Sequence, residues 1–289
     1  MPMLPTSDGL EIAVHDHGGV GRPALLCHAT GLHAAVWEPL GAHLGDRLRR
    51  WALDFRAHGA STVPPGTDLG WAGMGDDVLA ALDGLALPPG AVLGVGHSMG
   101  GAALLLAEQA RPGTFAGLWL YEPIAPPPGA LSAAAGGNRL AEGALRRRAS
   151  FPSREAALAN YAGKPPLDVA RADALHAYVR HGFVDADDGT VHLACRPEDE
   201  SRTFEGGGLH HAFDRLGEVA CPSVVVTGGE AFGPAAFAPE IAACLPRGAL
   251  EVHPHLGHFG PLEAPAELAS SVLRFEATLP GAVTPPGVP

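Results

Sequence analysis

The chain has 289 residues, 46% of them hydrophobic, and carries Lys+Arg 19 against Asp+Glu 31 for a formal net charge of −12. That length suffices for one α/β domain with a sizeable insertion, or two small domains. The acid excess argues against a nucleic-acid partner. The four cysteines, Cys27, Cys195, Cys221 and Cys244, are scattered without a C-x-x-C pair, so neither a metal site nor a redox motif is expected. Cys27, Cys221 and Cys244 lie in or beside apolar runs and read as buried thiols. The start of the chain shows no basic-then-apolar leader, and no run of about 18 apolar residues occurs. The expectation is a soluble, cytoplasmic, reduced protein with no membrane association.

In chain order, Glu11 to Asp16 alternates apolar and polar and predicts an antiparallel strand. Ala24 to His28 is a buried strand that opens into the loop His28-Ala29-Thr30-Gly31-Leu32-His33. Trp37 to Leu48 has helical spacing. Trp51 to Asp54 is the next strand, followed by the loop Asp54 to Ser61. Leu69 to Leu85 is a helix with Met74, Val78, Leu79 and Leu82 on one face. Ala91 to Val95 is a strand, and a helix runs from Ala102 to Ala110. Phe115 to Tyr121 is a strand ending in Glu122-Pro123, and Ser223 to Thr227 is another, ending in Gly228-Gly229-Glu230. A helix over Pro239–Leu245, a strand over Leu250–His253 and a helix over Pro265–Ala277 complete the pattern. The Pro/Gly-rich tail from Pro280 reads as loosely ordered. Short apolar strands alternating with helices predict an α/β fold with a mostly parallel central sheet covered on both faces.

One block breaks the alternation. Residues 124–218 show no convincing buried strand, and Arg139–Ser150, Arg154–Gly163, Val169–Gly182 and Ser201–Leu216 look helical. The expected organisation is a core of 1–123 and 219–289 with 124–218 inserted as a helical lid. Inserted between two sheet strands, such a lid folds over their carboxyl ends, where open parallel sheets bind ligands.

The segment Gly96-His97-Ser98-Met99-Gly100 between strand and helix has G-x-S-x-G spacing. Such a turn holds its serine in a strained conformation and tolerates only small residues two positions to either side. It presents the Ser98 hydroxyl above the sheet, with the N-terminus of the next helix beneath any oxyanion that forms. By this geometry the backbone N–H of Met99 is one oxyanion donor. A serine hydroxyl needs a base. Among 15 histidines, His258 is the candidate, presented in the glycine-framed loop Leu256-Gly257-His258-Phe259 after the final strand. His97 reads as structural, and His253 and His255 lack such a frame.

Four motifs in order resemble the α/β-hydrolase fold family, in its serine-nucleophile branch with esterase- and lipase-like members. They are His28-Ala29-Thr30-Gly31, Asp54-Phe55-Arg56-Ala57-His58-Gly59-Ala60-Ser61, the turn around Ser98, and Leu256-Gly257-His258-Phe259. The second resembles a D-x-R-G-x-G-x-S loop with Ala57 where glycine is usual. The likeness spans about Glu11 to Leu273. It implies the N–H of Thr30 as the second oxyanion donor, with Ala29 replacing the usual glycine. Most relatives place an aspartate a few residues past the strand that here is Ser223–Thr227, but this chain has Phe232 there. Glu122, where certain dehalogenases of this fold carry a glutamate, is the favoured acid. Glu230 is the alternative, and a histidine without a carboxylate partner is the third reading. A serine at the nucleophile position argues against epoxide hydrolases and haloalkane dehalogenases.

The implied reaction is acyl transfer to water through an acyl-enzyme on a small-to-medium, largely apolar ester, lactone or thioester, without cofactor or metal. Trp37, Tyr161 and Phe259 are candidate substrate contacts. Arg146, Arg147 and Arg148 read as a solvated face, or as a contact for a carrier protein. A lyase, cyclase or haloperoxidase-like enzyme of the same fold, and a hydrolase-like ligand receptor, are the competing readings.

Overall fold

The structure is a computed structural model and describes residues 1–129 and 138–281. Its strands in chain order begin with β1 (Met3–Pro5), β2 (Glu11–Asp16), β3 (Arg22–Cys27), β4 (Leu48–Leu53), β5 (Val92–His97) and β6 (Phe115–Tyr121). Between them lie α1 (Glu38–Leu44), α2 (Trp71–Gly84) and α3 (Met99–Ala110). After β6 come α4 (Arg139–Leu145), β7 (Ser150–Phe151), α5 (Arg154–Ala162), α6 (Ala172–His181), β8 (Phe183–Asp185), β9 (Val191–Leu193) and α7 (Pro197–Gly206). The chain then returns through β10 (Ser223–Gly228), α8 (Pro234–Cys244), β11 (Gly248–His253), α9 (Gly260–Glu263) and α10 (Pro265–Glu276). Eight strands form one sheet in the order β1-β2-β4-β3-β5-β6-β10-β11.

All contacts from β4 through β11 in that sheet are parallel, and only β1 and β2 run against their neighbours. Every residue of β5 is buried, and β10 is buried throughout. Central parallel strands are covered on both faces by crossover helices, which explains their unbroken apolar runs. Two buried clusters result. One packs α2 and α3 against one face, through Met74, Val78, Ala103 and Leu104. The other packs α1 and α10 against the opposite face, through Leu40, Trp119, Leu268 and Val272. The expected antiparallel β2 and parallel core are therefore present. β1 was not expected, because three residues carry no readable period.

The segment between β6 and β10 holds most of the differences. Its helices lie near the expected spans, but Ser201–Leu216 resolves into α7, which starts at Pro197, and a 3-10 helix over Phe213–Glu218. It also contains a three-stranded antiparallel sheet, β7-β9-β8, where the sequence predicts no strand. Strands of two or three residues are too short for alternation to show. Helix α8 begins five residues before the expected Pro239, which sits inside it. Cys244 is exposed, contrary to expectation, while Cys27, Cys195 and Cys221 are buried. Among the described residues no helix is long and apolar enough to cross a membrane. The tail beyond residue 281 lies outside the described residues.

Candidate active site

The carboxyl ends of β5, β6 and the loop after β11 bring three side chains together. Ser98 ends β5 and begins α3 with φ 55° and ψ −116°. That left-handed backbone costs free energy for a non-glycine residue and persists only where its surroundings enforce it. The enforcement is steric: a side chain on Gly100 would overlap the Cys27 and His28 carbonyl groups, and one on Gly96 would meet the Gly101 backbone. The Ser98 hydroxyl lies 3.2 Å from His258 Nε2. On the other side of the ring, His258 Nδ1 lies 2.6 Å from Glu122 Oε2.

Glu122 follows β6 with φ 43° and is fully buried. Its second oxygen accepts from the Gly228 N–H at 2.8 Å and from the Thr227 hydroxyl at 3.1 Å, both at the end of β10. Burial by itself would raise the carboxyl pKa. The hydrogen bond and charge of His258, with the Gly228 and Thr227 donors, outweigh it, and the net direction is down. Glu230 is exposed and has no hydrogen bond to His258. Its Oε1 stands beside Gly257, 3.7 Å from where a side chain there would begin, and the neighbouring Phe232 is 69% exposed.

The imidazole loop is pinned from below. His97 Nε2 lies 2.8 Å from the His258 carbonyl oxygen, which makes His97 a structural brace. Burial pushes the His97 pKa well down, so it remains a neutral donor. The Tyr121 hydroxyl donates to the Gly257 carbonyl at 2.7 Å, and the Gly257 N–H donates to Glu263 at 3.2 Å. Tyr121 and Glu263 carry no motif signal. Only the packing of β6 against the loop after β11 reveals them. His253 and His255 instead face Glu251 and Glu267.

The loop after β3 stands opposite. Thr30 and Met99 both present backbone N–H groups that have no acceptor among the described residues. The Thr30 hydroxyl lies 3.4 Å from Met99 Sδ, which brings the two segments together. Three buried side chains hold this loop. His28 Nδ1 lies 2.8 Å from the Ala29 carbonyl oxygen, and its Nε2 accepts from the Phe55 N–H. Burial, then the neighbouring His58, lower the His28 pKa to about 3. Asp54 accepts from the N–H groups of Ala34 at 2.6 Å and Ala60 at 2.9 Å. His58 Nε2 accepts from the Gly31 N–H at 3.0 Å, which leaves the ring proton on Nδ1 to meet the Arg56 carbonyl oxygen. The bracing function of His58 was not anticipated from sequence. Ala57 takes φ 64°, the backbone that the usual glycine would provide at no cost.

Of the expected substrate contacts, Trp37 is packed in the core, and its indole N–H has no partner among the described residues. Phe259 stands edge-on to His97 and His258. Tyr161 faces Tyr178 and the Arg147 guanidinium. Of the three consecutive arginines, Arg146 and Arg148 are exposed as expected and Arg147 is not. Arg148 stacks over Phe151, and Arg147 is largely buried in an ion pair with Glu200. These arginines follow α4, and a charge run carries no signal of which member turns inward.

A serine, an imidazole and a buried carboxylate in hydrogen-bonding sequence above a parallel α/β sheet, with two free backbone donors beside the serine, define the architecture of the α/β-hydrolase class. A sequence model described as Alpha/beta hydrolase family matches residues 24–271, and the chain belongs to that family. It is 32% identical over 130 residues to human monoglyceride lipase, covering 43% of each chain. It is 35% identical over 110 residues to 3-oxoadipate enol-lactonase 2 of Acinetobacter baylyi, covering 35% of this chain and 39% of that one. These alignments span less than half the length of either relative. Among solved structures, E-2-(acetamidomethylene)succinate hydrolase superposes with a TM-score of 0.76 at 21% identity, covering 95% of this chain and 97% of that one. An esterase from Thermogutta terrifontis gives 0.70 at 23% identity, covering 95% and 97%. At such identities the superpositions speak for the fold.

Proposed function

We propose that the protein is a serine hydrolase that cleaves a carboxylic ester or lactone through an acyl-enzyme, with Ser98 as nucleophile, His258 as base and Glu122 as the acid of the triad. The observation that carries this reading is the unbroken chain from Ser98 through His258 to Glu122, at 3.2 and 2.6 Å. The match to lipase and lactonase relatives supports the reaction class.

In this mechanism His258 Nε2 takes the Ser98 proton as Oγ bonds to the acyl carbon. The carbonyl π electrons move onto oxygen, and the Thr30 and Met99 N–H groups receive that charge. His258 then returns the proton to the leaving oxygen as the C–O bond breaks. A water, deprotonated by the same nitrogen, then attacks the acyl carbon, and His258 gives that proton to Ser98 Oγ as the acyl–Oγ bond breaks and the acid is freed. Glu122 holds the Nδ1–H tautomer and stabilises the imidazolium. Segment 124–218 acts as the lid over this site, and the substrate is of small to medium size.

Labelling with a fluorophosphonate probe, with Ser98→Ala as control, followed by a panel of short p-nitrophenyl esters, tests the reading. Labelling at Ser98 with ester turnover is expected. Labelling without turnover would favour a non-hydrolytic enzyme of the fold, and no labelling would favour a ligand receptor.

A further inference from the structure

The inserted segment turns one arginine inward. Arg147 donates from Nη1 to Glu200 and from Nη2 to the hydroxyls of Tyr161 at 3.0 Å and Tyr178 at 2.5 Å. These partners come from α5, α6 and α7, so three helices of the segment converge on one guanidinium. The cluster rests on the loop that presents the Thr30 N–H. A side chain on Gly31 would overlap the Glu200 carboxylate and stand 3.3 Å from Arg147 Nη1.

A guanidinium has five N–H donors. Three are used here, which leaves two without an acceptor among the described residues. Both phenol oxygens act as acceptors toward Arg147, so their own hydrogens are left over as well. Burial pushes the Tyr178 pKa up and keeps that phenol a donor. Among the described residues Glu200 Oε1 has no hydrogen-bond partner. The Arg147 side chain remains 19% exposed. Arg147 Nε and Glu200 Oε1 are not among the buried atoms left without a partner, so these unpaired groups are accessible to a ligand.

We propose that Arg147, Tyr161 and Tyr178 form a second recognition point for the substrate of the hydrolase proposed above, taking a neutral oxygen acceptor, a ketone or amide carbonyl, in its acyl part. The sign of the charge follows from Glu200. The pair Arg147–Glu200 is already neutral and largely buried, so a carbonyl leaves it neutral, whereas a carboxylate would add a charge with no partner of its own. A site built to donate to an oxygen discriminates strongly against an analogue that lacks it.

The test uses methyl hexanoate, its oxo derivatives with the ketone at each position from 3 to 5, and the monomethyl esters of succinate, glutarate and adipate, assayed by titration of released acid. One oxo position is expected to raise kcat/KM about 10-fold or more over the parent, equivalent to about 1.4 kcal/mol. That ratio should fall to near one in Tyr161→Phe and Tyr178→Phe. A merely structural tyrosine would lower both esters alike and leave the ratio standing. Turnover of the parent ester with a flat oxo series, or a preference for the monoacids, overturns the inference and leaves the hydrolase reading intact. Calorimetric binding of the same esters to Ser98→Ala reads the cluster without chemistry, so an inactive enzyme does not shield it. There too, equal affinity for parent and oxo esters overturns the inference.

Discussion

Helix α3 behind Ser98 and helix α5 in the inserted segment are built on opposite terms. Ten of the residues of α3, from Met99 to Gln109, are buried, and its N-terminal glycines stand against backbone. In α5 only Ala157 is buried. The first helix is fixed by close packing, where a single methyl group is felt. The second is fixed by its Ser153 cap and by polar contacts at its end. The difference teaches where rigidity resides: Ser98 is mounted on the more densely packed side, and α5 in the inserted segment adds polar contacts to a thinner apolar one through Ala157.

The sharpest break of this comparison is a methyl group on each side. Gly100→Ala places a Cβ into the Cys27 and His28 carbonyl groups and should cost about 3 kcal/mol or more, read as loss of folded protein or a large drop in Tm. Gly143→Ala on α4 has nothing among the described residues within 4 Å of its added Cβ and should stabilise by about 0.5–1 kcal/mol. Equal responses would erase the distinction.

The bracing histidines on the packed side give the next effect. Replacement of His58 by Phe strands the Gly31 N–H and the Arg56 carbonyl, at a cost of about 1–3 kcal/mol. It should also lower kcat about 10-fold through a displaced Thr30, with KM nearly constant. Acid acts on the same group of residues. His28 is neutral when folded down to about pH 3, while the unfolded chain takes up that proton near 6.5. The unfolded state therefore binds more protons between these values. Stability is full above about 6.5 and falls as pH drops toward 3, by up to about 1.4 kcal/mol per pH unit for such a group. Thermal melts from pH 7 to pH 4 check the slope, and His28→Asn should flatten it. The smallest effect belongs to the other side: Ser153→Ala removes the side-chain acceptor of the Ala156 N–H and should cost about 1 kcal/mol.

The same contrast governs how much the sequence disclosed. Long apolar strands and the glycines around Ser98 are legible because sheet period and turn sterics leave few alternatives. The proximity of Glu122 to His258 was legible only through the likeness to other members of the fold, since 136 residues separate them. Tyr121, Glu263 and His58 were not legible, because a brace is defined by which carbonyl or N–H faces it, and that is a tertiary fact. Arg147 was misread with its neighbours as solvated. One position in three turned inward, and its partners Tyr161, Tyr178 and Glu200, the last 53 residues away, distinguish it only in the fold.

The central claim is that the acid comes from the end of β6 and not from the loop after β10. Its most direct measurement is kcat/KM of Glu122→Gln and Glu230→Gln, each on a p-nitrophenyl ester turned over by the unmodified protein. Loss of about 10⁴-fold in Glu122→Gln, with Glu230→Gln within about 2-fold of the unmodified protein, is the predicted result. Full activity in Glu122→Gln, or loss confined to Glu230→Gln, would contradict it.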